Sequence, residues 1–258
     1  MALPYFLGCD LSLATYTWSV GVNASYPVSN LATYFASDVS KANATTSDQY
    51  ITIDLGSATA CNTIVVDGHN FATVNPDTAI YLQYNTNDDT NWADAVSAVT
   101  LMANGAYSND AFVKTFTVQT KRYWRILFTS TCAVAPQIGT VFLGTRLAFE
   151  STYEWDFMRN NLGFETVETT SLNGVLRMSQ AFTGRKRFEL TFRLQSDTFK
   201  ASLDNFNGTV RGKLRPFYFI DTDATIYYVH LDTDYLAPKG YRYNQNNFSV
   251  SLKKQLTQ

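Results

Sequence analysis

The stretch YITIDLGSATACNTIVVDGHNF, Tyr50–Phe71, decides the fold of the first part of this chain. Apolar and polar residues alternate over Tyr50–Leu55, which predicts a strand with one face turned to a core. Thr63–Val66 is a continuous β-branched run, typical of a strand buried on both faces. The Gly-His-Asn sequence that follows predicts a turn. The stretch therefore predicts two strands, separated by a short turn and ending in a tight corner.

Further strand-like runs follow this stretch at short spacing. Each is bounded by clusters of Asn, Asp, Ser, Thr and Gly, which are typical of turns. Strands at such spacing predict a β-sandwich or jelly roll. The runs are Ala79–Tyr84, Phe112–Val118, Tyr123–Phe128 and Ile138–Leu143.

The second half of the chain predicts a sheet with one helix. Asp197–Phe206 has helical periodicity, Ser196 suits its N-cap, and Asn207 with Gly208 is expected to end it. Strands are predicted at Phe164–Thr170, Val175–Gln180, Arg187–Leu194, Pro216–Ile220, Thr225–Leu231 and Phe248–Leu252. We therefore predict a mainly all-β protein, in which a jelly-roll β-sandwich precedes a second β-sandwich or barrel with one packed helix.

Composition and charge narrow the classes of function. Of the 258 residues, 45% are hydrophobic, which is enough for a packed core. The formal net charge of −2 argues against nucleic acid as the primary partner. No apolar run approaches the ~20 residues of a membrane-spanning helix, and the first residues lack the pattern of a signal peptide. Membrane insertion is therefore not expected.

A shift in composition predicts a domain boundary near residue 146. Residues 1–146 carry 6 basic and 10 acidic residues, whereas residues 147–258 carry 14 basic and 12 acidic residues. Glu is absent from the chain before Glu150. We therefore predict two domains, residues 1–146 and residues 147–258.

Six motifs in the first half resemble the discoidin family, the coagulation-factor C-type module with a galactose-binding-like jelly roll. They are Ser25–Leu31, Ile51–Gly56, Asn62–Phe71, Tyr81–Tyr84, Arg122–Leu127 and Ile138–Gly144, in the order of the family. The resemblance covers about residues 22–144. It implies a jelly roll that binds ligands and rarely does chemistry.

Residues 147–258 resemble, in layout, the β-sandwich-plus-helix modules of bacteriophage tail tube and distal tail proteins. Paired strands, a helix, Pro216–Ile220, a hairpin and a closing strand follow one another. The resemblance implies a virion tail component, assembled in the host cytoplasm, that forms a homo-oligomeric ring such as a trimer or hexamer. Its other partners would be neighbouring tail proteins, and the first domain would face outward.

Aromatic residues in or beside predicted loops of the first domain are candidate sugar contacts. Aromatic rings stack on the apolar faces of sugars, and Asn and Asp side chains bind sugar hydroxyls. The alternative, which holds for most aromatic residues of such domains, is burial in the core. The candidates are Tyr26, Tyr34, Phe35, Phe71 and Trp92.

Basic residues of the second domain are candidates for an oligomer interface. As turns of one subunit facing acidic loops of the next, they would set the register of an oligomeric ring. Alternatively, they are charges on a solvated strand edge that prevent aggregation. They are Arg185, Lys186 and Arg187 in the only basic run, and Arg211, Lys213 and Arg215 before Pro216.

No cofactor or metal site is predicted. Two histidines and three cysteines, which we interpret as reduced and mostly buried thiols, are too few ligands for zinc. Asp88 and Asp89 are weak calcium candidates, because they lie with Asp94 around a polar turn. The Asp-Thr-Asp sequences that begin at Asp221 and Asp232 fit hairpin ends better than a calcium loop.

Catalysis is not expected from the sequence. His69 has only Asp67 as an acidic neighbour, and it fits a turn in which side chains bond the backbone. Glu150 and Glu154 are the carboxylate pair that a glycosidase would need. Their place at the domain junction favours solvated linker side chains instead.

These observations give three hypotheses about function. The first is a structural component of a bacteriophage tail, a ring protein of the distal tail or tail tip. Its discoidin-like domain would dock tail proteins or bind host-cell glycan. The alternative is a stand-alone carbohydrate-binding lectin without ring assembly, and a glycosidase fragment ranks last.

Overall fold

A computed structural model divides the chain into two compact units. The first unit is Leu7–Arg146, and the second unit is Leu147–Leu256 together with Met1–Phe6. The structure describes residues 2–74, 80–87, 91–95, 109–129, 131–154, 158–170, 176–233, 236, 239–242 and 245–255. Within 158–185 and 239–242 it describes the backbone alone.

The described chain is mainly β, as the sequence predicted. Its strands are β1 (Tyr5–Leu7), β2 (Thr15–Trp18), β3 (Ser40–Lys41), β4 (Gln49–Asp67), β5 (Ile80–Asn85), β6 (Ala93–Asp94), β7 (Phe112–Phe128), β8 (Gln137–Ile138), β9 (Thr140–Gly144), β10 (Leu147–Ala148), β11 (Met158–Thr170), β12 (Leu176–Gln195), β13 (Phe217–Ile220), β14 (Ile226–Leu231), β15 (Lys239–Arg242) and β16 (Gln245–Lys254). The helices are α1 (Phe71–Val74) and α2 (Asp197–Val210), with 3-10 helices at Leu11–Leu13 and Val28–Ala32.

Two long strands, β4 and β7, form the frame of the first unit. They pair antiparallel, with register shifts after Asp54 and Cys61. The first part of β4 lies in a sheet with the order β2-β4-β7-β5-β6, and its last part pairs with β9. The sheet therefore curls on itself into a jelly-roll β-sandwich.

The core of the first unit lies between the two parts of this curled sheet. Ile51, Ile53, Trp124 and Ile126 contribute from one side, and Ile64, Val66, Val141 and Leu143 from the other. The predicted turn inside Tyr50–Phe71 was wrong, since β4 runs through it with irregular pairing to β7. The predicted strands Phe112–Val118 and Tyr123–Phe128 are likewise one strand, β7. A bulge keeps both backbones paired where a turn would separate them.

The second unit contains an eight-stranded sheet with the order β10-β1-β13-β14-β16-β12-β11, and β15 pairs with β16. Because β1 pairs with β10, the start of the chain belongs to this unit. Its core is rich in phenylalanine, and Phe149 stacks on Phe192 with ring centroids 3.9 Å apart. Phe199 and Leu203 of α2 pack into the same core.

Helix α2 begins where the sequence predicts and ends later. The Ser196 hydroxyl accepts a hydrogen bond from the Phe199 N–H at 3.1 Å, as an N-cap does. The expected stop at Asn207 and Gly208 was wrong, because the helix continues to Val210 and ends at Arg211 in the left-handed conformation. Asn207 is buried inside the helix, where its amide bonds the backbone of Leu236 at 3.1 and 3.3 Å.

Candidate functional site

The first unit has a polar and aromatic sheet face opposite its core. Since side chains alternate along a strand and Ile51 faces the core, Tyr50 lies on the other face of β4. On β7, Trp124 faces the core and Arg125 lies on the outer face. Register places Arg125 directly beside Gln83 of β5. Side chains from separate strands therefore meet on this outer face.

The guanidinium of Arg125 lies between two aromatic rings. Its Cζ atom lies 4.9 Å from the centroid of the Tyr50 ring and 4.5 Å from that of Trp92. Arg125 Nε donates a hydrogen bond to Gln83 Oε1 at 2.7 Å, and Gln83 Nε2 donates to Asp94 Oδ1 at 2.8 Å. We call these five residues, Tyr50, Gln83, Trp92, Asp94 and Arg125, the Arg125 platform.

The platform leaves one end of Arg125 available. Within the described part of the chain, neither Nη1 nor Nη2 of this residue makes a hydrogen bond or an ion pair. Partial burial lowers the pKa of Arg125, whereas Tyr50 and Asp94 act in the opposite direction. Arginine stays protonated at physiological pH, so the platform presents a cationic fork flanked by rings.

Arg122, three residues away on the same strand, is occupied. Its Nε and Nη2 atoms bind both carboxylate oxygens of Asp54 at 2.7 and 2.8 Å. The hydrogen bonds from Arg122 are the main reason that the pKa of Asp54 is lowered. Arg122 is therefore occupied by Asp54. Of these two arginines, Arg125 is the one whose Nη atoms are available to a ligand.

The five predicted aromatic contacts go to different places. Trp92 joins the platform. Tyr26 and Phe35 are 42% and 51% exposed, and Lys41 Nζ lies 5.9 Å from the Tyr26 ring centroid. Tyr34 is tied to the chain start, since its hydroxyl donates to Cys9 O at 3.2 Å and accepts from Leu11 N at 3.1 Å.

Phe71 corrects the prediction of a loop contact. It begins α1 and is 1% exposed, because it packs against His69, Phe112 and Phe128 in the core. Phe71 is therefore a core residue, which was the alternative to a sugar contact. Sequence reasoning missed Tyr50, Gln83 and Arg125, although strand alternation could have placed each on a polar face.

The predicted basic turn at Arg185–Arg187 was also wrong, because these residues lie inside the continuous strand β12. The described part of the predicted strand Val175–Gln180, from Leu176 on, and the predicted strand Arg187–Leu194 are parts of that one strand. Arg187 is paired within the chain, with Asp232 at 3.0 Å and Glu189 at 3.6 Å. Lys186 Nζ lies 5.9 Å from the Tyr227 ring centroid, and the side chain of Arg185 lies outside the description.

The second basic group follows α2 in a turn. Arg211 is the left-handed residue that ends the helix, and Arg215 Nη1 donates to Thr209 O at 2.9 Å. The carbonyl of Lys213 lies 3.3 Å from His230 Nδ1. These contacts fix the turn, and an interface role for Arg211, Lys213 and Arg215 stays a prediction.

The candidates for metal binding and catalysis have structural contacts. Asp88 and Asp89 lie outside the described residues. Among the described residues, no cluster of three or more His, Cys, Asp or Glu could hold a metal. Asp221 accepts hydrogen bonds from Tyr153 Oη at 2.8 Å and Thr222 N at 2.7 Å. Asp232 pairs with Lys253 at 3.0 Å as well as with Arg187.

Glu150 is exposed and Glu154 is partly exposed, as expected of solvated side chains, and both also make contacts within the chain. Glu150 accepts hydrogen bonds from the N–H and the hydroxyl of Ser196, each at 2.6 Å, and Glu154 pairs with Arg193. Glu150 thus holds the residue that caps α2.

His69 is buried with both ring nitrogens engaged. Nδ1 accepts from Phe71 N at 3.4 Å, so Nε2 carries the proton and donates to Asp110 O at 2.9 Å. Burial lowers the pKa of His69 to about 4. This arrangement agrees with the predicted backbone-bonding turn.

None of the helices in the described ranges has the length and apolarity that crossing a membrane requires.

No family model and no curated protein match this chain. Among solved structures, chitosan-binding module 1 from a chitosanase/glucanase of Paenibacillus sp. IK-5 is 17% identical, with a TM-score of 0.44, over 54% of this chain and 98% of the module. CBM32-1 from a family 31 glycoside hydrolase of Clostridium perfringens is 12% identical, with a TM-score of 0.44, over 53% of this chain and 96% of the module. CpGH89CBM32-5 of the same organism, in complex with GalNAc-β-1,3-galactose, is 10% identical, with a TM-score of 0.43, over 54% and 99%.

Proposed function

We propose that the first unit binds a saccharide at the Arg125 platform on its outer sheet face. The single observation that carries this proposal is the position of Arg125, held between Trp92 and Tyr50 with its Nη end available. A sugar presents apolar C–H faces and a rim of hydroxyls. The platform offers rings for the former and polar atoms for the latter.

The polar atoms of the platform are held in place before a ligand arrives. Gln83 bonds Arg125 on one side and Asp94 on the other, so three polar side chains form one chain across β7, β5 and β6. Pre-organised donors and acceptors lower the ordering cost of binding. Asp94 supplies an exposed acceptor, and Arg125 supplies donors. This combination favours a hydroxyl-rich ligand over an apolar one.

The test is binding of a saccharide library to the whole chain, followed by calorimetry with the strongest binder. Trp92→Ala should weaken binding by roughly five- to tenfold, because loss of one stacking ring removes about 1–1.4 kcal/mol. Phe35→Ala is the matched control, since Phe35 is an exposed aromatic residue outside the platform. Equal loss in both variants, or no saccharide binding, would contradict the proposal.

This function requires no reaction. His69 is buried and bonded to backbone atoms, and Glu150 and Glu154 hold Ser196 and Arg193. We therefore propose a binding protein rather than a hydrolase. We expect Glu150→Gln to lower stability, because Glu150 bonds the residue that caps α2. We expect no effect of this substitution on hydrolysis of saccharides.

A second candidate is self-assembly, which a virion tail component would need, and the β11–β12 hairpin is the observation that supports self-association. Within the described residues, β12 pairs with β16 only between Arg187 and Gln195, whereas its pairing with β11 runs from Leu176 to Glu189. A two-stranded ribbon is marginally stable alone, so a second copy would stabilise it. Light scattering over a concentration series tests this candidate. A closed oligomer would support this candidate. A strict monomer at all concentrations would show that the isolated chain does not assemble with itself.

A further inference from the structure

Three other arginines of the described chain each pair with a carboxylate, which Arg125 does not do. Arg122 pairs with Asp54, Arg187 with Asp232, and Arg193 with Glu154. Arg125 pairs with no carboxylate within the described residues, although it lies half-buried between two rings. Asp94 favours the charged form of Arg125 but makes no direct ion pair with it, so an external anion in contact with the guanidinium would offset the remaining cost of partial desolvation.

We infer that the saccharide bears a carboxylate, as a uronic acid does, and that Nη1 and Nη2 of Arg125 bind its two oxygens. This inference rests on the proposed function. Arg125 Nε is already engaged by Gln83 at 2.7 Å, so the remaining donors form an end-on fork. A planar carboxylate matches this fork with two parallel hydrogen bonds.

Asp94 should affect the binding of acidic and neutral sugars in opposite directions, which can be measured. Its carboxylate is held by Gln83 at 2.8 Å and makes no ion pair with Arg125. Near an acidic sugar it would repel the ligand, whereas near a neutral sugar it would accept a hydroxyl hydrogen bond. Asp94→Asn should therefore strengthen binding of an acidic ligand and weaken binding of a neutral one.

The experiment compares uronic acid oligosaccharides with their neutral parent oligosaccharides on one glycan array, using the whole chain. Affinities of the strongest matched pair are then measured by calorimetry at low and high salt. We expect the acidic member to bind at least roughly tenfold more tightly, since charged hydrogen bonds are worth about twice neutral ones. Arg125→Gln should abolish this preference. Lys121→Gln, which removes a charge from the same strand outside the platform, should preserve it.

For the acidic ligand, Asp94→Asn should raise affinity about two- to fivefold at low salt, and the gain should shrink at high salt. Equal or better binding of the neutral member, with dependence on Trp92, would overturn the inference and keep the proposed function. Absence of any saccharide binding would overturn both. Equal binding of a polyaspartate peptide would show recognition of charge alone and would also overturn the inference.

Discussion

The imidazole of His69 stacks on the ring of Phe71, with centroids 4.2 Å apart and an interplanar angle of 28°. A nearby third ring, Phe112, lies edge-on to His69 at 5.2 Å. Two residues that the sequence places in a turn and in a candidate ligand loop thus form one buried corner. Because that corner excludes water, the neutral form of the histidine is favoured.

The pKa of His69, lowered from 6.5 to about 4, predicts a pH dependence of stability. Between these values the unfolded chain binds more protons than the folded chain. The free energy of unfolding of the first unit should therefore fall by about 3 kcal/mol as pH drops from 6.5 to 4. Hydrogen-exchange mass spectrometry of β4 peptides over this range measures it.

Asp54 serves as the control for this prediction, because its pKa lies below the pH range in which His69 titrates. The pKa of Asp54 is lowered from 3.8, so its contribution is present above that pH and is lost below it. Asp54→Asn should leave the slope between pH 6.5 and 4 in place, whereas His69→Gln should flatten it. An unchanged slope in His69→Gln would contradict the assignment.

The contact between Trp92 and Arg125 predicts an energetic coupling without any ligand. A cation over an aromatic ring at a partly exposed site is worth about 0.5–1 kcal/mol. A double-mutant cycle of Trp92→Ala and Arg125→Gln, measured by urea unfolding, should give a coupling of that size. The cycle of Phe35→Ala with Arg125→Gln should be additive. Additivity in both cycles would show that the stacking contributes no stability.

A close approach of backbones at Gly139 predicts a severe effect of one methyl group. A Cβ there would lie 2.1 Å from the carbonyl oxygen of Ala36. Since that oxygen belongs to the backbone, Gly139→Ala should destabilise the first unit by about 2–4 kcal/mol. Gly144→Ala is the matched control, because its nearest atom would be Gly8 O at 3.8 Å. Equal melting temperatures for the two variants would contradict this view.

Gly208 offers a stabilising change in the second unit. It lies inside α2, and a Cβ there would meet nothing within 4 Å. Gly208→Ala should raise the free energy of unfolding by about 0.5–1 kcal/mol through helix propensity. Asn207→Ala, one residue away, should lower it, because the backbone of Leu236 loses both hydrogen bonds. Thermal unfolding of the two variants should therefore shift in opposite directions.

The sequence by itself determined the features that depend on local pattern. Alternation in Tyr50–Leu55 fixed which face of β4 meets the core, and Ser196 fixed the start of α2. Both follow from residues a few positions apart, since strand period and helix capping are local properties. Where long-range pairing overrides local turn signals, as inside β4 and at Gly184 in β12, the sequence predicted breaks that the folded chain does not have.

Only the tertiary structure decided the composition of the Arg125 platform. Gln83 and Arg125 become neighbours through the register of β5 and β7, and Trp92 reaches them after β5 has ended. Likewise, Arg187 of β12 pairs with Asp232, which directly follows β14. Local sequence fixes the direction in which a side chain points, whereas its partner depends on register. Register is set by the packing of the whole core, because a slip of one residue would turn every apolar side chain outward.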